Sequence, residues 1–215
     1  MLSRLIAFVP RIVARVTAAG VIGLLAASPA LAEKPVDVKG DPNDFVSAVA
    51  DNALEALRQE PAAKRGDIKV INALVEKYVQ PYVDLEKTTR LAAGRYWRQA
   101  TPQQRTDLTE AFKGTLIRTY SGALSRVDEV SALTMNPFRG EAGADDVVVR
   151  SSLSQRNGPA VNIDYRLEKT ASGWKIYDLN VEGIWLIQNY RNQFADEINR
   201  NGIDGLIASL NSRNK

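Results

Sequence analysis

Residues 174–194, WKIYDLNVEGIWLIQNYRNQF, begin with the period of a strand and end with the period of a helix. Trp174 and Ile176 lie on one face of the expected strand, whereas Leu179 and Val181 fall on the other. A strand that changes face in this way is either covered on both sides or interrupted by a bulge. The stretch therefore predicts a strand that passes directly into a helix.

The helix expected over residues 183–199 has one apolar residue out of place. On a wheel of about 100° per residue, its other apolar side chains form a single arc. The arc consists of Ile184, Ile187, Tyr190, Phe194, Ala195 and Ile198. Trp185 falls outside the arc, among polar residues. Either the helix begins later than Gly183, or Trp185 has a second apolar contact with the sheet, a partner or a ligand.

Three further strands are expected before this one. A short strand is predicted over residues 130–135, and residues 146–156 and 161–168 alternate apolar with polar side chains. Asn157 and Gly158 between the latter two form a typical hairpin turn. The pattern therefore predicts about four consecutive antiparallel strands.

Helices are expected both before and after the strands along the chain. Thr101-Pro102-Gln103-Gln104 is a capping box with proline at the first helical position. The expected helices cover about residues 42–60, 68–79, 84–93, 102–127, 183–199 and 203–210. Helices, then hairpin-connected strands, then helices predict an α+β fold with a twisted antiparallel sheet packed against helices.

The first 32 residues differ from the rest of the chain. They contain three arginines and no acidic residue, and residues 16–27 are apolar. Ala30-x-Ala32 is the small-residue pattern that signal peptidase accepts. The apolar stretch is shorter than the roughly 20 residues that span a bilayer. We therefore predict a cleaved signal peptide over residues 1–32 and a single domain over residues 33–215; an uncleaved anchor is the alternative.

Composition narrows the possible functions. Without residues 1–32 the chain has 25 basic and 25 acidic residues, whereas nucleic-acid-binding proteins usually have a basic excess. The chain contains neither histidine nor cysteine. This excludes disulfides, Ser-His-Asp triads, Cys-His pairs and metal sites built from His or Cys. An enzyme of this composition would have to use carboxylate, tyrosine, lysine or serine side chains.

Asp178 is the carboxylate of most interest, because its strand is expected to be largely buried. The pair Asp145 and Asp146 is expected in a solvated turn, and Asp164 on the polar face of its strand. We expect a structural hydrogen-bonding role for Asp178. An acid–base role together with a tyrosine is the alternative.

Several motifs occur in a characteristic order and spacing. They are Gly94-x-x-Trp97-Arg98, Pro102-x-Gln104-Arg105, Tyr120, Trp174-Lys-x-Tyr-Asp178, Glu182-Gly183 and Asn189-Tyr190-Arg191-x-x-Phe194. With the signal peptide, they resemble the MlaC family of periplasmic phospholipid-shuttle proteins, also called toluene-tolerance proteins. The resemblance covers roughly residues 40–212. The chain departs from the family at Trp185, where a small residue is common.

The resemblance implies a non-enzymatic carrier in the periplasm that encloses the acyl tails of a phospholipid in an apolar cavity between helices and sheet. It implies two transient partners, the substrate-binding subunit of an inner-membrane ABC transporter and an outer-membrane lipoprotein–porin complex. Such a carrier maintains the lipid asymmetry of the outer membrane and needs no cofactor or metal, because phospholipid is its cargo. The alternatives are a small hydrolase or isomerase that uses Asp178, and an adaptor or chaperone without a ligand.

The cavity wall is expected near the strand–helix junction and along the long helix. The predicted lipid-binding residues are Trp97, Leu116, Tyr120, Val149, Ile163, Tyr165, Ile176, Val181, Ile184, Trp185 and Ile187. We predict no catalytic residue.

Overall fold

The computed structural model describes residues 33–141 and 143–214. The helices are α1 (Pro42–Gln59), α2 (Pro61–Lys64), α3 (Ile68–Tyr78), α4 (Leu85–Ala93), α5 (Pro102–Leu124) and α6 (Leu186–Arg213). The strands are β1 (Val130–Met135), β2 (Asp146–Gln155), β3 (Val161–Thr170), β4 (Gly173–Val181) and β5 (Ile184–Trp185). The predicted α+β class is confirmed, whereas the predicted signal peptide lies outside the described residues.

The capping box at the start of α5 forms as expected. The N–H of Gln104 donates to Thr101 Oγ1 at 3.2 Å, and the N–H of Thr101 donates to Gln104 Oε1 at 3.0 Å. These bonds satisfy two backbone donors that the helix itself leaves without partners. The start of α5 is therefore encoded locally in four residues.

The sheet is antiparallel and has the order β1-β2-β3-β4-β5. It has five strands rather than about four, because Ile184 and Trp185 fold back on β4 as a two-residue strand. Glu182 and Gly183 form the turn with φ of 50° and 86°. Positive φ at both central residues is what a tight hairpin turn of this kind requires. Helix α6 therefore begins at Leu186, later than Gly183.

The predicted irregularity of β4 is a bulge. Arg166 pairs with Asp178, whereas the next residue, Leu167, pairs with Ile176, so Tyr177 is the extra residue. The bulge accounts for the change of face between Ile176 and Leu179. It also places Asp178 on the same side of the sheet as Arg166, because directly paired residues share a face.

The two faces of the sheet differ in character. The inner face carries Val149 and Tyr165 and packs against α1, which contributes Phe45 and Val49. The outer face carries Arg150 and Asp164, which pair with each other across β2 and β3. The inner face thus belongs to the core, and the outer face is polar.

Candidate apolar binding site

The core consists of three apolar clusters rather than the single contiguous core of most domains. The sheet cluster contains Phe45, Val46, Val49, Val147, Val149, Tyr165, Leu167, Trp174 and Ile176. The C-terminal helical cluster contains Ala92, Ala93, Tyr96, Trp97, Leu108, Ala111, Phe112, Leu186, Tyr190, Phe194, Ile198, Leu206 and Leu210. The N-terminal helical cluster contains Leu57, Ala63, Ile71, Ile117 and Val127.

Shared elements join the three clusters in a ring. Helix α1 places Phe45 in the sheet cluster and Leu57 in the N-terminal helical cluster. Helix α5 places Phe112 in the C-terminal helical cluster and Ile117 in the N-terminal one. Leu179 of β4 packs against both the sheet cluster and the C-terminal helical cluster.

Half-buried apolar side chains lie at the margins of the clusters. They include Leu54 on α1, Leu116 and Tyr120 on α5, Ile163 on β3 and Leu179 on β4. We call these five residues the apolar seam. Because part of their apolar surface remains uncovered, an apolar ligand that covers the seam would gain free energy by binding.

The inner face of the sheet is itself divided along the strands. Towards the β2–β3 turn the inward-pointing residues Leu153, Val161, Ile163 and Val181 are only half-buried. Ile184, which pairs with Val181, is 59% exposed. This half of the face therefore offers a continuous apolar surface that leads from solvent to the seam.

The structure brings most of the predicted lipid-binding residues to the seam or to the clusters beside it. Leu116, Tyr120 and Ile163 belong to the seam, and Val181 and Ile184 continue from it along the inner face. Five other predicted residues are buried: Trp97 in the C-terminal helical cluster, Val149, Tyr165 and Ile176 in the sheet cluster, and Ile187 in the first turn of α6, outside the three clusters.

Trp185 lies apart from the seam and from the three clusters. It pairs with Asn180 and therefore lies on the outer face, opposite to Ile184. The Arg166 guanidinium carbon lies 3.9 Å from the centre of the Trp185 ring. Contact between Trp185 and a ligand stays a prediction.

The hydroxyl groups near the seam are uncharged. Burial raises the pKa of Tyr165, whose hydroxyl accepts a hydrogen bond from Ser151 Oγ at 3.4 Å. Burial also raises the pKa of Tyr120. Both phenols therefore stay protonated at neutral pH, which suits the seam to an uncharged apolar partner.

Asp178 has a structural role on the outer face. Its carboxylate accepts the N–H groups of Leu179 at 3.0 Å and of Ile187 at 3.1 Å, and it pairs with Arg166 at 3.0 Å. Burial raises the pKa of Asp178, whereas these donors act in the opposite direction. All of its contacts hold the fold together, as expected from the sequence.

Two of the depressions on the described surface are not lined by the predicted residues. One, of about 230 Å³, runs along α6 beside Phe194 and Leu206. The other, of about 430 Å³, lies next to Val83 and Lys175. Within residues 33–141 and 143–214, no group of three or more acidic side chains could hold a metal ion. No helix among these residues has the length and apolar character to cross a membrane.

Sequence reasoning missed Leu179, the residue that connects two clusters. Leu179 lies two residues before Val181, so the two share one face of the strand. That spacing was the only sign in the sequence of a role for Leu179. The bulge at Tyr177 then decides which face this is.

Comparisons with known proteins agree with the resemblance in the sequence. A profile of the family described as MlaC protein matches residues 47–212. The toluene tolerance protein ttg2D of Pseudomonas putida is 27% identical over 186 residues, which cover 86% of this chain and 84% of that protein. The intermembrane phospholipid transport system binding protein MlaC of Haemophilus influenzae is 22% identical over 173 residues, 79% of this chain and 80% of that protein.

A solved structure shares both sequence and fold with this chain. It is a phospholipid-binding protein from Ralstonia solanacearum in complex with a phospholipid, with 41% sequence identity and a TM-score of 0.77. The match covers 81% of this chain and 97% of that one. The family profile alone spans well over half of the chain. The chain therefore belongs to the MlaC protein family.

Proposed function

We propose that this chain is a non-enzymatic phospholipid carrier. The observation that carries the proposal is the Ralstonia solanacearum protein, which has 41% sequence identity to this chain and holds a phospholipid. The two curated relatives, named for toluene tolerance and for intermembrane phospholipid transport, support the same function.

Carriage of a phospholipid through water requires apolar cover for its acyl chains. Exposure of one methylene costs about 0.8 kcal/mol, so a two-tailed lipid with roughly thirty methylenes would cost ~24 kcal/mol. The seam and the half-buried inner face supply apolar surface of this kind. They supply it without any ionised side chain among the five seam residues.

The acyl chains would enter between the sheet and the helices. No seam residue lines either of these two depressions, and room for two chains would come from separation of the three clusters at their margins. The proposed wall comprises Leu116, Tyr120, Ile163, Val181 and Ile184, with Trp97, Val149, Tyr165, Ile176 and Ile187 behind them. Leu179 joins the wall because it lies between two clusters.

The wider role proposed here is a shuttle in the periplasm. The carrier would exchange phospholipid with the substrate-binding subunit of an inner-membrane ABC transporter and with an outer-membrane lipoprotein–porin complex. Such exchange would maintain the lipid asymmetry of the outer membrane. The relative named as a binding protein of an intermembrane phospholipid transport system supports this role.

Purified protein should contain phospholipid. We expect about one phospholipid per chain when the protein, expressed from its complete sequence, is extracted with organic solvent and examined by mass spectrometry. Uptake of labelled phospholipid from liposomes should follow with the same stoichiometry. Absence of lipid from repeated preparations, together with no uptake from liposomes, would contradict the proposed function.

A further inference from the structure

A connected group of side chains lies behind the seam, on the outer face of the sheet. Arg166 Nη1 lies 3.0 Å from Asp178 Oδ2, and the guanidinium stacks on the ring of Trp185. Asp178 Oδ1 accepts the N–H of Ile187 in the first turn of α6. We call Arg166, Asp178 and Trp185 the outer clamp.

The outer clamp holds the start of α6. Trp185 is the N-cap residue of this helix, but its side chain makes no capping hydrogen bond. The N–H of Ile187 is instead satisfied by Asp178 from β4, at 3.1 Å. A helix leaves its first N–H groups without internal partners, and a carboxylate is a strong acceptor for them. The position of α6 against β4 therefore depends on Asp178.

The outer clamp is one residue away from the seam. Asp178 lies on the outer face, whereas Leu179 contacts the sheet cluster and the C-terminal helical cluster on the other side. Helix α6 contributes Leu186 and Tyr190 to the second of these clusters. A shift of the first turn of α6 would therefore change the gap between the clusters at Leu179.

Arg166 and Asp178 are unequally exposed. The Asp178 side chain is fully buried, whereas 38% of the Arg166 side chain remains accessible. Among the described residues, Arg166 is the only cation at ion-pairing distance from Asp178. Removal of one partner of a buried pair leaves an uncompensated charge. Loss of Arg166 would therefore favour the neutral carboxyl of Asp178, because Arg166 is one of the groups that lower its pKa. A neutral carboxyl accepts the N–H of Ile187 more weakly than a carboxylate does.

A second arginine on the same face provides a matched control. Arg150 lies 4.0 Å from Asp164, and both side chains are partly exposed. Exposed pairs of this kind contribute little to stability. Arg150 makes no contact with α6 among the described hydrogen bonds and ion pairs.

We propose that the outer clamp is a positioning device that sets how firmly the seam closes on the acyl chains. Arg166 and Trp185 then govern lipid retention through the position of α6, in place of the direct lipid contact that the sequence predicts for Trp185. The indole acts by stacking on the guanidinium. This inference rests on the proposed phospholipid binding. It also gives a reason for a large apolar side chain immediately before α6.

The test measures lipid release from the purified protein, expressed from its complete sequence and loaded with a fluorescent phospholipid. Release into phosphatidylethanolamine–phosphatidylglycerol vesicles is compared for wild type, Arg166→Gln, Trp185→Ser and Arg150→Gln. We expect release at least about fivefold faster for the first two variants, and the wild-type rate for Arg150→Gln. Trp185→Phe, which keeps an aromatic ring, should restore slow release. Hydrogen exchange of the Ile187 amide should be faster in Arg166→Gln and unchanged in Arg150→Gln.

Each negative result leads to a different conclusion. A wild-type chain that takes up no phospholipid would overturn the proposed function, and the clamp with it. If the wild type retains phospholipid and Arg166→Gln releases it at the wild-type rate, the clamp alone is overturned. This holds even if Trp185→Ser releases lipid faster, because faster release from that variant alone would indicate direct contact between the indole and the lipid. A lower melting temperature without faster release would show a merely structural role. If Arg166→Gln does not fold, the test compares hydrogen exchange of the Ile187 amide in Trp185→Ser and Trp185→Phe. Faster exchange in Trp185→Ser supports the clamp, and equal exchange in the two variants overturns it.

Discussion

Phe112→Ala should lower the free energy of unfolding by about 3–5 kcal/mol, the usual cost of removing a fully buried aromatic side chain. Phe112 is 0% exposed and lies in the middle of the C-terminal helical cluster. Its ring meets those of Tyr190 and Phe194 edge-on, with centroids 4.8 and 5.0 Å away. The variant thus loses two aromatic contacts and leaves a cavity between α5 and α6.

Urea denaturation followed by circular dichroism measures this loss. Phe138→Ala is the control, because Phe138 is half-buried in the loop after β1 and packs at the edge of the sheet cluster. We expect a loss of about 1 kcal/mol there, which is typical of an average substitution. Equal losses in the two variants would mean that the C-terminal helical cluster does not stabilise the protein as its burial indicates.

Ile163→Glu should reduce the bound phospholipid at least about tenfold, since tenfold corresponds to only ~1.4 kcal/mol of binding free energy. Ile163 belongs to the seam and points to the inner face. A carboxylate there would either lose its hydration against acyl methylenes or keep water in the site. Because Ile163 is half-buried, the folded protein should tolerate the change better than it would a charge in one of the three clusters.

The same carboxylate on the opposite face separates lipid binding from a general effect of charge. Thr134 is exposed on the outer face of β1, where it pairs with Ser152. Thr134→Glu should keep wild-type lipid content. Lipid content is measured by mass spectrometry after organic extraction, with circular dichroism to confirm folding. A folded Ile163→Glu variant with full lipid content would exclude Ile163 from the binding surface.

Local sequence patterns account for most of the secondary structure. The capping box at Thr101 and Gln104 forms as expected, because its partners lie within one turn. The change of face along β4 indicated either cover on both sides or a bulge, and the structure has a bulge at Tyr177. In contrast, β5 was missed because two residues, Ile184 and Trp185, are too few to show an alternation.

Predictions for the site depended on which face of the sheet each side chain occupies, and only the folded sheet determines that. The sequence indicated apolar character on both sides of the turn at Glu182 and Gly183, but not the fold-back that separates Ile184 from Trp185. The division of the core into three clusters depends on packing between distant elements. For that reason, Leu179 could be assigned a role only from the three-dimensional contacts.

Photo-crosslinking tests most directly the claim that the acyl chains occupy the seam. A phospholipid with a diazirine near the end of an acyl chain is loaded into the protein, and the sample is irradiated. The crosslinked peptides are then identified by mass spectrometry. We expect crosslinks on α5 around Leu116 and Tyr120 and on the strands around Ile163 and Leu179. Crosslinks confined to the outer face, around Arg150 and Asp164, would contradict the account.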